Sequence, residues 1–383
     1  MFFKDIPGKA DEKEFLLTSI NEERIPHAQL FLGRRGTGQL ALALAYSSYI
    51  LCQNKTDGDS CGTCPACIKS HKYIHPDIHF SFPVIKKDGK QRKDTTSVDF
   101  LPEWRSALGA NPYMDVNSWL HNLQASNEQA NINVKECNDI IQKLGLKTFE
   151  SNYKILIMWM PEYLRNEGNR LLKLIEEPTD NTIIILVAEK QEEILNTVLS
   201  RTQLLKVTPF TDTEITQYLE NTFHLATKDA EQLCGLADGN MNMAVQLARN
   251  ESINYRDALL DWLRASYQME PIALGKLIND MAKWGRENQK HFLEYGLHFF
   301  REFIFTTLTN KESQKLNQEE KESMKKLGSL LNIDKMESIV LVINDCISAI
   351  SRNANPKILF LTESLRIGRI MRTAKAGDKL FYT

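Results

Sequence analysis

The chain has 383 residues, 42% apolar and 25% charged, with 18 glycines and 12 prolines. At roughly 100–200 residues per domain this suggests two or three globular domains, and excludes a disordered chain or a small disulfide-stapled module. The 47 Lys and Arg nearly cancel the 49 Asp and Glu, so no whole-molecule field draws the chain to nucleic acid or an anionic membrane, and any such contact is local or shared.

Met1 to Gly8 carries no secretory h-region, and no apolar run approaches the roughly 18 residues of a membrane span, so a cytoplasmic chain with no membrane contact is expected. Leu30-Phe31-Leu32 then runs into Gly33-Arg34-Arg35-Gly36-Thr37-Gly38, and Leu40 to Leu51 follows as an Ala- and Leu-rich helix. Residues 80 to 125 are less regular. The charged stretch Lys86 to Asp94 between two apolar patches predicts a hairpin or surface insertion there. Asn133 to Leu144 has the three-and-four spacing of an amphipathic helix. Tyr153 to Met160 and Thr182 to Val187 are apolar nearly throughout, as in strands buried on both faces of a parallel sheet. Between them Leu164, Leu171, Leu172, Leu174 and Ile175 predict a helix ending before Pro178. The alternation gives a parallel α/β domain over residues 1–208. Three short helical patterns, broken near Thr227 and Gly239, follow from Thr211. The remainder is helical, with a break at Gly285, an aromatic core helix around His291 to Phe300, and a mixed-charge stretch from Lys311 to Lys326.

Gly33 and Gly38 stand at the spacing of a phosphate loop, G-x-x-x-x-G-K-[ST], between a strand and a helix. Gln39 and Leu40 replace the cation that neutralises phosphate and the hydroxyl that holds magnesium, and nothing nearby in the sequence is expected to supply a substitute cation. The strand ending Met160-Pro161-Glu162 lacks an acidic pair, and Glu162 reads as a helix N-terminal carboxylate. Two separate defects argue against ATP hydrolysis. Cys52, Cys61, Cys64 and Cys67, spaced x8, x2 and x2, have the ligand set of a closed, structural zinc site. Cys137, Cys234 and Cys346 read as buried apolar residues.

Ile25 to Gly33, the cysteine spacing, Asn169 to Pro178 and Leu199-Ser200-Arg201-Thr202 occur in an order that resembles the delta-prime family of bacterial DNA polymerase III clamp-loader subunits, within the AAA+ superfamily. The likeness resumes near Asn353-Ala354-Asn355-Pro356. It implies an α/β P-loop AAA+ module over 1–208, with an inserted zinc-binding module at about 52–67 and an insertion at about 80–125. An all-α three-helix lid over 209–250 and an all-α oligomerisation collar over 251–383 would follow. It further implies partnership with gamma or tau and delta subunits, with the sliding clamp through the complex, and with primed DNA through the assembled ring.

By the same resemblance Arg201, supported by Ser200, is an arginine finger for ATP bound by a neighbouring subunit, while Thr202 stands where Cys is usual. The chain itself would have no ATPase or polymerase activity. Glu189, in Val187 to Lys190, and Gly239-Asn240-Met241-Asn242 replace the polar sensor and lid arginine of active relatives. The region from Phe80 to His121 is longer than the resemblance leads one to expect. The alternative is an ATP-hydrolysing gamma/tau-type motor subunit, and a third reading uses the cysteine module and Lys86 to Lys93 on DNA.

Overall fold

The computed structural model describes residues 1–372 apart from 57, 126–127, 250–253, 312, 314–315, 317 and 353. Asn353, where the collar-like stretch begins, therefore lies outside the described residues, as do 250–253 and 373–383 of the expected lid and collar. Among the described residues no helix is long and apolar enough to cross a membrane.

Helix α1 (Ala10–Asn21) leads to strand β1 (Ala28–Gly33), whose glycine loop opens α2 (Gln39–Leu51). Every residue of α2 is buried, which accounts for its Ala and Leu content and its lack of a polar face. Then come α3 (Pro65–His71), β2 (Ile78–Ser81), α4 (Leu101–Ala110), α5 (Val116–Asn122), α6 (Val134–Gly145) and β3 (Lys154–Trp159). After these follow α7 (Leu172–Glu176), β4 (Thr182–Ala188), α8 (Asn196–Leu199) and β5 (Gln203–Val207). The strands form one parallel sheet in the order β2-β3-β4-β1-β5. In register, Leu156 pairs with Ile184 and Ile184 with Ala28. Strands β3 and β4 are buried at every position, as their apolar runs predicted. From β1 the chain runs to one edge of the sheet and from β4 to the other, so the loops leaving these neighbours open a crevice at their carboxyl ends.

Two expectations are corrected. Residues 80–125 form no hairpin; they hold α4, α5 and single 3-10 turns at Arg92–Asp94 and Ser97–Phe100. Trp104, Ala107 and Leu108 recur at helical spacing on the buried face of α4, and Asp115 caps α5 by accepting from the Ser118 amide at 2.8 Å. The segment is also no surface appendage. Trp104 and Trp119 are fully buried, and Phe82 stacks on Trp104 at 4.1 Å. The helix expected over 164–175 is instead an irregular 3-10 stretch, Pro161–Leu171, kinked at Arg165 with φ 50°, and only α7 is regular.

Helices α9 (Asp212–Phe223), α10 (Thr227–Ala237) and α11 (Met241–Ala248) match the three short patterns. They are followed by α12 (Tyr255–Gln268), α13 (Pro271–Lys283), α14 (Gly285–Thr309), α15 (Gln318–Leu327), α16 (Ile333–Ser351) and α17 (Pro356–Arg372). Gly285, at φ +76°, makes the predicted break between α13 and α14. Contacts divide the chain into two compact units, Met1–Leu225 with Ala237–Val245, and Ala226–Leu236 with the chain from Gln246 onward. The second unit is built around Trp262, Phe292, Phe299, Phe300 and Phe360, so the aromatic helix is core as predicted. Cys137, Cys234 and Cys346 are likewise buried.

Gly368 lets α17 lie directly on α12. A Cβ there would collide with the Ser266 carbonyl oxygen and come within 2.9 Å of Met269 Cε. Gly368→Ala should therefore destabilise the chain despite a gain in helix propensity of about 1 kcal/mol, because overpacking against backbone costs up to about 3 kcal/mol. A lower urea midpoint, equivalent to a net loss of about 2 kcal/mol, is the expected result; an unchanged or raised midpoint would show that the helices have room.

Candidate functional site

The glycine loop at the end of β1 is filled by its own chain. The Gln39 side chain turns back beneath the loop, where its Nε2 donates to the carbonyls of Gly33 and Arg34, both at 3.1 Å. Its Oε1 accepts from Thr37 Oγ1 at 2.9 Å. This amide is 5% exposed and has partners for both ends, so it is a stable buried fitting at roughly 0.5–1.5 kcal/mol per bond. Leu40 is buried beside it.

Residues 239–242 close over the loop. Met241 N donates to Gly36 O at 2.9 Å, and Gly36 has no room for a Cβ because the Asn240 side chain and the Asn242 amide lie against it. Gly38, at φ +92°, faces Phe210 Cζ at 2.9 Å from the Cβ position. From the side, Asn111 Nδ2 donates to Asn242 Oδ1 at 2.7 Å, and Asn242 Nδ2 donates to Ser118 Oγ at 3.1 Å. Tyr113 packs edge-on to Phe210 with ring centroids 5.7 Å apart. The space left among Gly36, Gly38, Gln39, Tyr113, Met114 and Trp159 is about 10 Å³. That is scarcely the volume of one water, whereas small-molecule sites run to roughly 300–1,000 Å³.

No substitute for the loop lysine is expected from nearby sequence, yet a cation does stand in the loop. Arg35, within the loop itself, points its Nε to Glu189 Oε2 at 3.6 Å and its Nη1 to Asp115 Oδ2 at 3.9 Å. The cation exists and is engaged by two carboxylates, and Glu189 is one of them. Glu162 is buried at the start of the irregular helix, and its Oε1 accepts from the amides of Glu189 at 2.6 Å and Lys190 at 2.8 Å. Burial raises its pKa despite these bonds. It fastens the end of β4.

Nothing in the sequence around Asn111, Tyr113, Asp115 and Ser118 marks them as site residues. Their local signal was present, in an Asp-x-x-Ser cap before Val116, Trp119 and Leu120, but that signal announces only a helix.

The four predicted cysteines converge. Their sulfurs all lie within 4.8 Å of one another, with Cys61 and Cys67 Sγ 3.9 Å apart. A tetrahedral site with metal–sulfur bonds of about 2.3 Å needs sulfurs roughly 3.8 Å apart, so the set fits a closed metal site. The amides of Cys61, Cys64 and Cys67 donate to the sulfurs of Cys52, Cys61 and Cys64 at 3.3, 3.4 and 3.4 Å. The bond from the Cys64 amide, with those from Thr63, draws the Cys61 thiol down to about 6, while burial pushes Cys52 and Cys67 up. Negative charge on the sulfurs is thus supported by backbone donors, and a bound cation would supply the rest.

Arg201 lies just past α8, its side chain 37% exposed. Its Nε donates to the Glu176 carboxylate, and its Nη1 donates to Thr197 O at 2.9 Å and Ser200 Oγ at 3.1 Å. Thr202 Oγ1 donates to Leu199 O at 3.2 Å and closes the same turn. His27 Nε2 sits 3.0 Å from Ile175 O, joining the segment before β1 to the one carrying Glu176. In the charged stretch 86–94, Lys87 and Lys90 bond to Asp99 and Arg92 to Gln129 O. Much of its positive charge is therefore used within the fold.

These features define a parallel α/β chain whose glycine loop between β1 and α2 is packed by its own residues. A model of the family described as DNA polymerase III, delta subunit, matches residues 8–211, more than half the chain, and the chain belongs to that family. It is 26% identical over 241 residues to DNA polymerase III subunit delta' of Bacillus subtilis (strain 168), covering 62% of this chain and 58% of that one. To the delta' subunit of Escherichia coli (strain K12) it is 25% identical over 263 residues, 68% and 66% of the two chains. To the tau subunit of Bacillus subtilis it is 21% identical over 395 residues, 95% and 61%. The chain thus spans about three fifths of the length of the Bacillus subtilis relatives. A gamma subunit-related protein of Thermotoga maritima aligns with 94% of this chain and 100% of its own at 13% identity and a TM-score of 0.42.

Proposed function

We propose that this chain is a non-catalytic AAA+ subunit of the delta-prime type in a DNA polymerase III clamp loader. In this reading it takes its place beside gamma or tau and delta subunits, helps to place a sliding clamp on primed DNA, and offers Arg201 to ATP held by a neighbour. Residues 1–208 serve as the AAA+ module, 209–250 as the lid and 251–383 as the collar. Cys52, Cys61, Cys64 and Cys67 hold a structural zinc that leaves no coordination position open to substrate. When bound, the ion cross-links the turn after α2 to α3 and takes part in no reaction.

The observation that carries the reading is the Gln39 amide bonded beneath the loop to the carbonyls of Gly33 and Arg34. A motor subunit of the gamma/tau type needs a cation and a hydroxyl where Gln39 and Leu40 stand, and room for phosphates above them. The test is calorimetric titration of the zinc-replete chain with a non-hydrolysable ATP analogue and magnesium. No saturable heat is expected to millimolar nucleotide. Gln39→Lys/Leu40→Thr should also stay silent, because restoring the two side chains leaves Asn240, Tyr113 and Phe210 in place. Micromolar binding by the wild-type chain would overturn the reading in favour of the motor.

A further inference from the structure

The geometry points to a role for the helical pair α4–α5: residues 111–118 are the resident occupant of the phosphate-loop site, an intramolecular ligand that keeps the loop closed on residues 237–245 with no nucleotide present. This rests on the reading that the chain has no nucleotide of its own. A ligand couples two elements when it contacts both, and this segment does so through the buried Asn111, Tyr113, Met114 and Asp115 and the half-buried Ser118. On the loop side, Tyr113 and Met114 line the residual cavity with Gly36 and Gly38, and Asp115 faces Arg35. On the other side, Asn111 and Ser118 hold the two ends of the Asn242 amide. Asn242 is 1% exposed, and without Asn111 its Oδ1 would keep only the longer contact from Ser118 Oγ at 3.5 Å, a poorly satisfied buried polar group.

The segment is held rigidly from behind. Trp104 lies against Trp159, the last residue of β3, with ring centroids 5.1 Å apart, and Trp119 Nε1 donates to Pro83 O at 2.9 Å. Ser97 N and Oγ donate to the buried Glu136 carboxylate at 2.8 and 2.7 Å, which fastens the preceding turn to α6. A tethered occupant competes as if present at roughly millimolar concentration or above, with little of the ordering cost a free ligand would meet. The extra length of this region relative to the expected pattern is thereby given a purpose.

Hydrogen–deuterium exchange on the full zinc-replete chain tests this, comparing wild type with Asn111→Ala and with Asn111→Leu, which keeps the branched four-atom side chain but removes the bond donated to Asn242 Oδ1 and the one accepted from Tyr113 N. Amides of 36–41 and 240–244 should exchange about tenfold faster in both variants, as expected for the loss of a buried bond. Those of β3 and β4 should be unchanged. Unchanged protection at 240–244, or an equal rise across β3 and β4, overturns the occupant role, the second because it marks ordinary core packing. In a separate arm, magnesium-ATP is added to the wild-type chain. Added protection of the loop there overturns the inert-site reading on which the inference rests, independently of the variants.

Discussion

Arg201→Ala is expected to slow hydrolysis at the neighbouring ATP site by roughly 10³- to 10⁵-fold, the range of an arginine finger. This corresponds to about 4–7 kcal/mol of transition-state stabilisation. The expectation follows from what holds the guanidinium now. Its pair with Glu176 is 37% and 43% exposed, and such surface pairs contribute only about 0–1 kcal/mol. Exchanging that carboxylate for a phosphate in a dehydrated interface is therefore inexpensive, while the bonds to Thr197 O and Ser200 Oγ can keep the side chain aimed. Lysine at 201 should rescue little, since a single ammonium cannot reproduce the planar fork. The measurement is single-turnover hydrolysis in a reconstituted assembly in which only the site facing this chain retains its loop lysine, with assembly checked by size. Full turnover in an intact Arg201→Ala complex would remove the finger role.

Cys67→Ser is expected to abolish binding of one zinc ion per chain and to lower the melting temperature of the chain by about 10 °C, at roughly 2–4 °C per kcal/mol for a unit of this size. The magnitude is argued from structural zinc in small peptides, worth about 10–16 kcal/mol, of which only a part is needed where a folded sheet already supports the ligands. Cys67 is fully buried and its sulfur lies within 4.8 Å of the other three, so the loss reaches α3 directly. Because the ligands must be thiolates, acidification or a chelator should produce the same change. Native mass spectrometry counts the metal, with Cys137→Ala as the control that keeps it. A wild-type chain that melts identically with and without chelator would dismiss the structural role.

Several parts of this protein were legible because their physics is local. The buried strands β3 and β4 were readable because both faces of each are covered, which demands apolar side chains at every position. The cysteine cluster lies within sixteen residues, and the loop glycines are set by the tight turn between β1 and α2. Edge strands β2 and β5 were missed for the complementary reason. Their exposed and half-exposed positions carry mixed polarity, as in Gln203 and Lys206, and give no periodic signal. The irregular helix after β3 was misread as regular because its leucines keep helical spacing across the kink at Arg165.

Residue types and spacing determined a parallel α/β chain with glycines at phosphate-loop spacing, the absence of the loop's lysine and hydroxyl, and four metal-competent cysteines, while Arg201 was singled out only by the family resemblance. Only the tertiary structure decided what occupies the loop. Tyr113 and Asp115 reach Gly38 and Arg35 from more than seventy residues away, while Asn242, held by Asn111, lies against Gly36 from farther still. Such contacts leave no periodicity, because long-range packing constrains where a side chain ends up and not which residues stand beside it in the chain. The same holds for Glu162, whose place beneath the end of β4 depends on how two neighbouring strands finish in the sheet.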